Sequence, residues 1–263
     1  MRLTRLPLVC ALLGLAGLAL AGCATPPPAS QPEALASYRQ TNDPLEPTNR
    51  FLYRVSNAVA SVSLTPAARA YRSVFPQPVR NGVSNVLSNL GSPVRFANDV
   101  LQAKPRRAGD TLMRFLINST VGIGGIFDFA SDWGYPGHPS DFGMTLAVWG
   151  SPPGPYLFLP IIGPSNPRDT AGFAADTAGN PIWALGSGPG ITAFNWATLG
   201  TTTISQYARN LPGIEEVKRT ALDPYATFRS LFRQHREAEI AAAKQGRPRT
   251  VPVWFDLPKQ PSE

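Results

Sequence analysis

Residues 114–130 read RFLINSTVGIGGIFDFA and combine polar residues with an apolar run. The middle of this stretch is polar, with Asn118, Ser119 and Thr120 in a row, and the apolar run follows at once. The glycines of residues 122–125 (GIGG) do not fit the dinucleotide-binding fingerprint, because neither a last glycine nor a preceding strand completes it. We interpret them as positions where helices pack closely, or as a hinge.

The sequence on both sides of this stretch has helical periodicity. Phe51, Val55, Val59 and Val62 form one apolar stripe, and a second stripe with the same spacing runs over residues 79–94. Gly91, Ser92 and Pro93 break or kink the second one. Alternating patterns are scarce, and only residues 145–148 and 156–159 suggest short strands. With 23 glycines and 28 prolines limiting helix length, we predict a mainly α body of short helices.

Two helix starts carry a proline directly after an aspartate. Residues 43–46 (DPLE) add a glutamate three positions after the aspartate, so Asp43 is a predicted N-cap with Pro44 at the first helical position. Asp223 and Pro224 repeat the pattern. The helix after Asp223 is predicted to carry aromatic residues on one face and a basic stripe on another. The aromatic residues are Tyr225, Phe228 and Phe232, and the basic ones are Arg229, Arg233 and Arg236.

Three apolar segments are broken by glycine, proline or a single charge. They are residues 121–130 (VGIGGIFDFA), 156–162 (YLFLPII) and 182–185 (IWAL). They fit a globular core, and they equally fit helices whose apolar faces lie in the interfacial layer of a bilayer. Spacing alone leaves both interpretations open.

The N-terminus has the parts of a secretory signal. Two arginines precede an apolar run over residues 6–20, which is shorter than the roughly 20 residues of a membrane span. Residues 20–23 (LAGC) resemble the lipobox of bacterial lipoproteins, which implies removal of residues 1–22 and lipidation of Cys23. The alternative is an ordinary signal peptide with a chance cysteine. Ala24, in place of an aspartate, is compatible with the outer membrane.

The composition limits the net charge and the disulfide content of the mature chain. The signal holds two arginines and no acids, so its removal lowers the net charge from +7 to +5. Cys10 lies in the signal and Cys23 would carry lipid, which leaves no disulfide. The mild positive charge of an exported chain is compatible with binding to anionic head groups and also with a surface that is merely soluble. Nucleic acid is not an expected partner. We predict a flexible tether over residues 23–41, one body over residues 42–245 and a proline-rich flexible tail over residues 246–263.

Catalytic signatures are missing from the sequence. It contains no G-x-S-x-G elbow, no Walker A lysine and no H-E-x-x-H motif. A metal site or catalytic triad would need His138 or His235. His138 lies near Asp132 and Asp141 in sequence, which keeps an envelope lipid hydrolase open as an alternative.

Five strings, in this order, resemble the MlaA or VacJ family of outer-membrane lipoproteins, which maintain lipid asymmetry. They are residues 43–50 (DPLEPTNR), 114–130 (RFLINSTVGIGGIFDFA), 141–150 (DFGMTLAVWG), 154–169 (GPYLFLPIIGPSNPRD) and 223–225 (DPY). The resemblance implies a ring-like bundle of short amphipathic helices, lying in one leaflet of the membrane, with a central amphipathic channel.

The same resemblance implies a function without bond cleavage or a cofactor. Phospholipids misplaced in the outer leaflet would enter the channel and pass to a periplasmic lipid-carrier protein, and a trimeric porin would be a further partner. Polar residues beside apolar ones are the candidates for lining the channel. These are Asn118, Ser119, Thr120, Ile123 and Phe127. The third alternative is a structural lipoprotein that only tethers or scaffolds a porin.

Overall fold

A computed structural model of the chain describes residues 24–180 and 188–246. The predicted signal, Cys23, the segment 182–185 and the tail from residue 247 lie outside the described residues. The helices are α1 (Pro32–Thr41), α2 (Glu46–Val62), α3 (Leu64–Val74), α4 (Gln77–Leu90), α5 (Ser92–Leu101), α6 (Pro105–Thr120), α7 (Phe129–Asp132), α8 (Phe142–Val148), α9 (Pro167–Ala178), α10 (Pro189–Thr220) and α11 (Pro224–Lys244). Strands β1 (Leu157–Leu159) and β2 (Gly163–Ser165) form an antiparallel hairpin. The predicted mainly α class is confirmed.

The described residues divide into two compact units, where the sequence suggested one body. The first unit contains residues 24–60 and the segment 153–167, which includes the hairpin. The second contains residues 61–152, 168–180 and 188–246. The division follows from the hairpin, whose residues pack with the N-terminal helices that precede them by about 100 positions.

Asn49 on α2 organises the first unit. Its Nδ2 donates to Asp43 Oδ1 at 2.8 Å and to the Tyr156 carbonyl at 3.1 Å, while its Oδ1 accepts from the Phe158 amide at 2.9 Å. The ring of Phe158 meets that of Tyr53 edge to face. One buried amide therefore joins α2 to both the preceding turn and β1.

The start of α2 differs from the prediction. The helix begins at Glu46, and Pro44 lies in a turn before it, closed by the Glu46 amide donating to the Asp43 carbonyl. The carboxylate of Asp43 is buried against Asn49. The predicted helix start was therefore two residues too early, because the carboxylate of Asp43 binds Asn49, one turn inside the helix.

Helix α1 lies within the segment expected to be a tether. It spans Pro32–Thr41 and none of its side chains is buried. The hydroxyl of Tyr38 donates to the Ala24 carbonyl at 3.1 Å, so this helix contacts the segment of the chain that precedes it. Alanine, glutamate and arginine, which favour helices, explain why this short segment is helical despite its prolines.

In the second unit, α3 packs against α10 through small side chains. Ala68, Ala208 and Leu211 form a buried cluster beside Tyr71 and Tyr207. The break predicted near residue 91 is present, because Gly91 separates α4 from α5. No helix among the described residues combines the length and the hydropathy that crossing a membrane requires.

The predicted strand over residues 145–148 is wrong, and these residues belong to α8. Asp141 caps this helix, since its Oδ1 accepts from the Met144 amide at 2.9 Å. Thr145 is fully buried and donates to Asn98 Oδ1 at 2.8 Å. The cap and these tertiary contacts override the strand preference of a short apolar run. The other predicted strand, over residues 156–159, is confirmed as β1.

Helix α11 begins as predicted, with Asp223 Oδ1 accepting from the Ala226 amide at 3.1 Å. Its basic stripe is only partly a surface feature. Arg229 lies over the ring of Tyr225, 5.4 Å from the centroid. Arg236 is instead drawn inward by acids of α8 and α9, so it does not belong to an exposed basic face.

Candidate functional site

The apolar stripe of α2 in the first unit faces outward. Phe51, Val55 and Val59 are 55%, 41% and 48% exposed, whereas the buried residues of the helix are Asn49 and Ala60. The hairpin turn of this unit adds Ile161, which is also exposed. Apolar side chains thus cover the outer surface, while the side that packs against protein is polar or small.

The second unit repeats this inverted pattern around residues 114–130. Two of the candidates for contacting lipid, Ile123 and Phe127, are 64% and 49% exposed. Further exposed apolar residues nearby are Leu112, Met113, Leu116, Val121 and Ile126. Contiguous exposed apolar surface of this kind marks a binding or membrane-contact region.

The three polar candidates occupy different positions from the apolar ones. Asn118 is buried, with its Nδ2 donating to Asp128 Oδ1 at 2.9 Å and its Oδ1 accepting from the Ala130 amide at 3.0 Å. Ser119 Oγ accepts from Asn89 Nδ2 at 2.9 Å. Thr120 is exposed, and its hydroxyl donates to a carbonyl of its own helix. Asn118 and Ser119 therefore hold the loop together from within.

The glycine-rich loop between α6 and α7 packs as closely as its sequence suggested. A Cβ at Gly122 would lie 2.4 Å from the Phe127 carbonyl oxygen. Gly125 has φ +98°, and a Cβ there would lie 2.7 Å from that of Asn89. No larger residue fits either position without moving the backbone, so these glycines fix where Ile123 and Phe127 emerge.

The interior of the second unit contains many polar and charged side chains beside its small apolar ones. Asp99 of α5 is fully buried, and its Oδ2 lies 2.6 Å from Thr111 Oγ1 and 2.8 Å from His138 Nε2. Arg107 Nε lies 3.6 Å from Asp99 Oδ1. Burial raises the pKa of Asp99, but its contacts with His138 and then Thr111 outweigh burial, and the net shift of the pKa is downward. The acid is held ionised inside the unit.

A polar cavity of about 230 Å³ opens beside this cluster. The side chains that line it include those of Ser88, Ser92, Arg95, Thr111, Arg114 and His138. Arg114 Nη2 donates to both carboxylate oxygens of Asp128, at 3.0 and 2.9 Å, which also joins α6 to the cap of α7. The cavity is therefore walled by cations and hydroxyls.

The residues considered for hydrolysis do not converge. His138 binds Asp99, Asp141 binds Arg236, and Asp132 is exposed. Among residues 24–180 and 188–246, no group of three or more histidines, cysteines or acids is placed to hold a metal ion. The other histidine, His235, lies 3.2 Å from Glu239 on its own helix.

Exposed apolar helix faces around a polar interior are typical of proteins that lie at a membrane interface. A family model described as MlaA lipoprotein matches residues 41–239. The chain therefore belongs to the MlaA lipoprotein family.

Similar proteins agree with this family. The intermembrane phospholipid transport system lipoprotein MlaA of Haemophilus influenzae is 32% identical over 241 residues, covering 88% of this chain and 89% of that protein. The protein of the same name in Escherichia coli is 33% identical over 201 residues, covering 74% and 77%. A solved structure, described as the structural basis for maintenance of bacterial outer membrane lipid asymmetry, has a TM-score of 0.64 and 31% identity, covering 76% of this chain and 98% of that one.

Sequence reasoning missed Arg95, Asp99 and Arg107. All three are charged residues with a side chain turned toward the interior of a helical unit. A usable signal was present in α5, where Ser92, Asn98 and Asp99 lie on the buried side and Val100 and Leu101 are exposed. Periodicity analysis assumes that the apolar face is the buried one, so it gives no indication of charges that lie inside a helical unit.

Proposed function

We propose that the chain is an outer-membrane lipoprotein that removes misplaced phospholipids from the outer leaflet through an amphipathic channel. It would pass them to a periplasmic carrier and so maintain lipid asymmetry. The observation that carries this proposal is the inverted burial, with large apolar side chains outside and polar ones inside. Membership of the MlaA lipoprotein family supports it, since curated members are named for intermembrane phospholipid transport.

The exposed apolar side chains favour contact with lipid over contact with water. Burying a whole Val, Leu, Ile or Phe side chain is worth about 1.5–3 kcal/mol, so each half-exposed one gains roughly 1 kcal/mol on entering acyl chains. Phe51, Val55 and Val59 alone would contribute about 3 kcal/mol by this reasoning. Helices held this way lie in one leaflet, and backbone turns at that depth need shielding by protein or a polar cavity.

The interior polarity supports a path for the head group. A phospholipid crossing a membrane protein needs polar surroundings for the head group and apolar ones for the chains, because exposing either to the wrong phase is costly. In this proposal Ile123, Phe127 and Thr120 contact the lipid directly. Asn118 and Ser119 do not contact the lipid in this proposal, and instead they hold in place the loop that carries Ile123 and Phe127.

The anchor at Cys23 would place the protein on the periplasmic side of the outer membrane. If the body itself enters the inner leaflet, the acyl chains on Cys23 would mainly sort and orient it. A trimeric porin and a periplasmic carrier are the proposed partners. In this proposal no covalent bond is made or broken, so no reaction of the protein itself drives transport. The direction of net phospholipid flow would therefore be set by those partners.

Photocrosslinking tests the lipid path. A photoreactive residue at Ile123 or Phe127 should give phospholipid adducts in native membranes, and one at Asp132, an exposed polar position of the same region, should give far fewer. Equal labelling at all three positions, or none at Ile123 and Phe127, would contradict the proposal and favour a scaffold. Release of fatty acid from labelled phospholipid, abolished by His138→Ala, would favour a hydrolase instead.

Flotation with liposomes tests immersion of the body. A Cys23→Ala variant, with a signal cleavable by the ordinary peptidase, should still partition partly into membranes. Adding Phe51→Asn, Val55→Asn and Val59→Asn should reduce the floated fraction strongly. The control is Arg54→Asn, an exposed residue of the same helix. Full solubility of the Cys23→Ala variant would make Cys23 the sole anchor.

Deletion of the gene tests the cellular role. Loss of the protein should increase surface-exposed phospholipid and sensitivity to detergent with chelator, and wild-type copies should reverse both. Unchanged sensitivity, in a strain where expression of the protein had been confirmed, would remove the main support for phospholipid removal.

A further inference from the structure

The polar cavity of the second unit has an unusual balance of charge. No carboxylate lines it in the part of the chain that the structure describes, whereas two guanidinium groups do, those of Arg95 and Arg114. The nearest acids are already engaged. Asp128 pairs with Arg114, and Asp99 lies against Arg107 and His138.

Among the residues that the structure describes, no carboxylate lies within hydrogen-bonding distance of Arg95. Its Nη2 donates to the Ser88 carbonyl, to Ser92 Oγ at 3.1 Å and to Ser88 Oγ at 3.2 Å, all of them neutral oxygens. Burial lowers the pKa of Arg95 and the neighbouring charge of Arg114 lowers it further, while the charge of Asp99 offsets these effects only in part. A partly buried cation whose hydrogen bonds all go to neutral oxygens is costly, and a bound anion would reduce that cost.

His138 supplies a second group without a partner. Its side chain is almost completely buried, Nε2 is engaged by Asp99 and Thr111, and Nδ1 has no hydrogen-bond partner among the described residues. The same side chain lines the cavity. Nδ1 in this state can accept a hydrogen bond from a protonated phosphate oxygen, or donate one when the ring is charged.

We propose that this cavity is a binding site for a phosphate group, held by Arg95 with the hydroxyls of Ser88 and Ser92 and with His138 completing the shell. The assignment of that phosphate to a phospholipid head group rests on the proposed function. The planar guanidinium of arginine matches phosphate oxygens in bidentate geometry.

The size of the cavity favours a head group over a whole lipid. Pockets for drug-sized ligands occupy about 300–1,000 Å³, and this one, at about 230 Å³, is smaller. It is several times the roughly 30 Å³ that one water occupies. A phosphate with a small substituent therefore fits, and the acyl chains would remain outside.

Binding measurements on the full lipidated protein in detergent test the site. The probes are a short-chain phosphatidylglycerol, the matching diacylglycerol without phosphate, and inorganic phosphate. We expect the phosphate-bearing lipid to bind at least about tenfold more tightly than the diacylglycerol, since charge-assisted hydrogen bonds supply the difference. Arg95→Gln should lose about tenfold in affinity, and Arg95→Lys, which keeps the charge, should lose less.

Arg106→Gln is the matched control, because Arg106 is exposed on α6 and its loss changes the net charge equally. Its affinity should equal that of the wild type. Inorganic phosphate that displaces the lipid supports a shared phosphate site. Inorganic phosphate that binds alone, and is lost in Arg95→Gln, supports the site and assigns it to free phosphate.

Two results would overturn the inference. One is equal binding of the diacylglycerol and the phosphatidylglycerol. The other is unchanged affinity in a folded Arg95→Gln protein, with thermal unfolding as the check on folding. Either result leaves the crosslinking, flotation and gene-deletion outcomes untouched, so failure of this site is distinguishable from failure of the proposed function.

Discussion

Arg236 joins three helices of the second unit, and its removal should be severe. Its Nη1 and Nη2 lie 2.7 and 2.6 Å from the two oxygens of Asp141, and its Nε and Nη2 each lie 3.0 Å from an oxygen of Asp169. Glu239 contributes a third carboxylate at 3.3 Å. The packing around this cluster is tight, because a Cβ at Gly143 would lie 2.6 Å from Asp169 Oδ1.

The magnitude follows from what Arg236→Met would leave behind. Asp169 and Glu239 are mostly buried, and both would lose a charged partner, although Arg168 would still lie 3.0 Å from Asp169. Breaking a buried pair by removing one partner costs about 3–5 kcal/mol. For a chain of this size, 1 kcal/mol corresponds to about 2–4 °C, so Tm should fall by roughly 6–20 °C.

Thermal and urea unfolding of the purified protein in mild detergent, followed by circular dichroism, would measure this loss. Lys244→Met is the control, because it removes one positive charge from an exposed position of the same helix. It should change the free energy of unfolding by less than about 0.5 kcal/mol. A loss of less than about 1 kcal/mol in Arg236→Met would refute the reasoning, since it would mean that the carboxylates gain little from this arginine.

Three further predictions concern the stability of the two units. Asn49→Leu should cost roughly 2–4 kcal/mol in urea unfolding, because it removes the buried hydrogen bonds of Asn49 with the Phe158 amide, the Tyr156 carbonyl and Asp43. Asp223→Ala should cost about 1 kcal/mol and Asp223→Asn much less, since only alanine removes the cap of α11. The pKa of Asp169 is lowered from 3.8 because Arg236 and Arg168 outweigh the effect of burial. Its stabilising contribution is therefore complete above about pH 4 and lost as the pH falls further, and a pH titration of unfolding should show a flatter acid limb in Arg236→Met.

Local signals in the sequence predicted much of the fold. A cap such as Asp223 acts on amides two or three residues away, so its effect can be identified in any tertiary context. The same holds for the helix break at Gly91. Predictions of this kind depend on backbone geometry alone, and the structure confirms them.

Predictions that depended on tertiary partners were less successful. Asp43 has the sequence context of a cap, yet its carboxylate binds Asn49, and α2 starts later. Arg236 has the spacing of a surface stripe, yet two acids more than 60 residues away bind it. Residues 145–148 have the composition of a strand, yet Asp141 caps them as a helix. The spacing of residues along the chain does not show which distant side chain will form a hydrogen bond or an ion pair with them.

The sequence alone does not show whether the apolar stripes face protein or lipid, and the burial of the opposite helix faces bears on this question. The spacing of Phe51, Val55 and Val59 predicts an amphipathic helix but leaves open whether that face meets protein or lipid. The opposite face of α2 buries Asn49, and α5 buries Asp99 while exposing Val100. Because the protein interior already takes the polar faces, the apolar ones need another apolar phase to leave water. The inversion therefore supports the proposal of immersion independently of Cys23, and in that proposal an anchor at that cysteine would mainly add orientation.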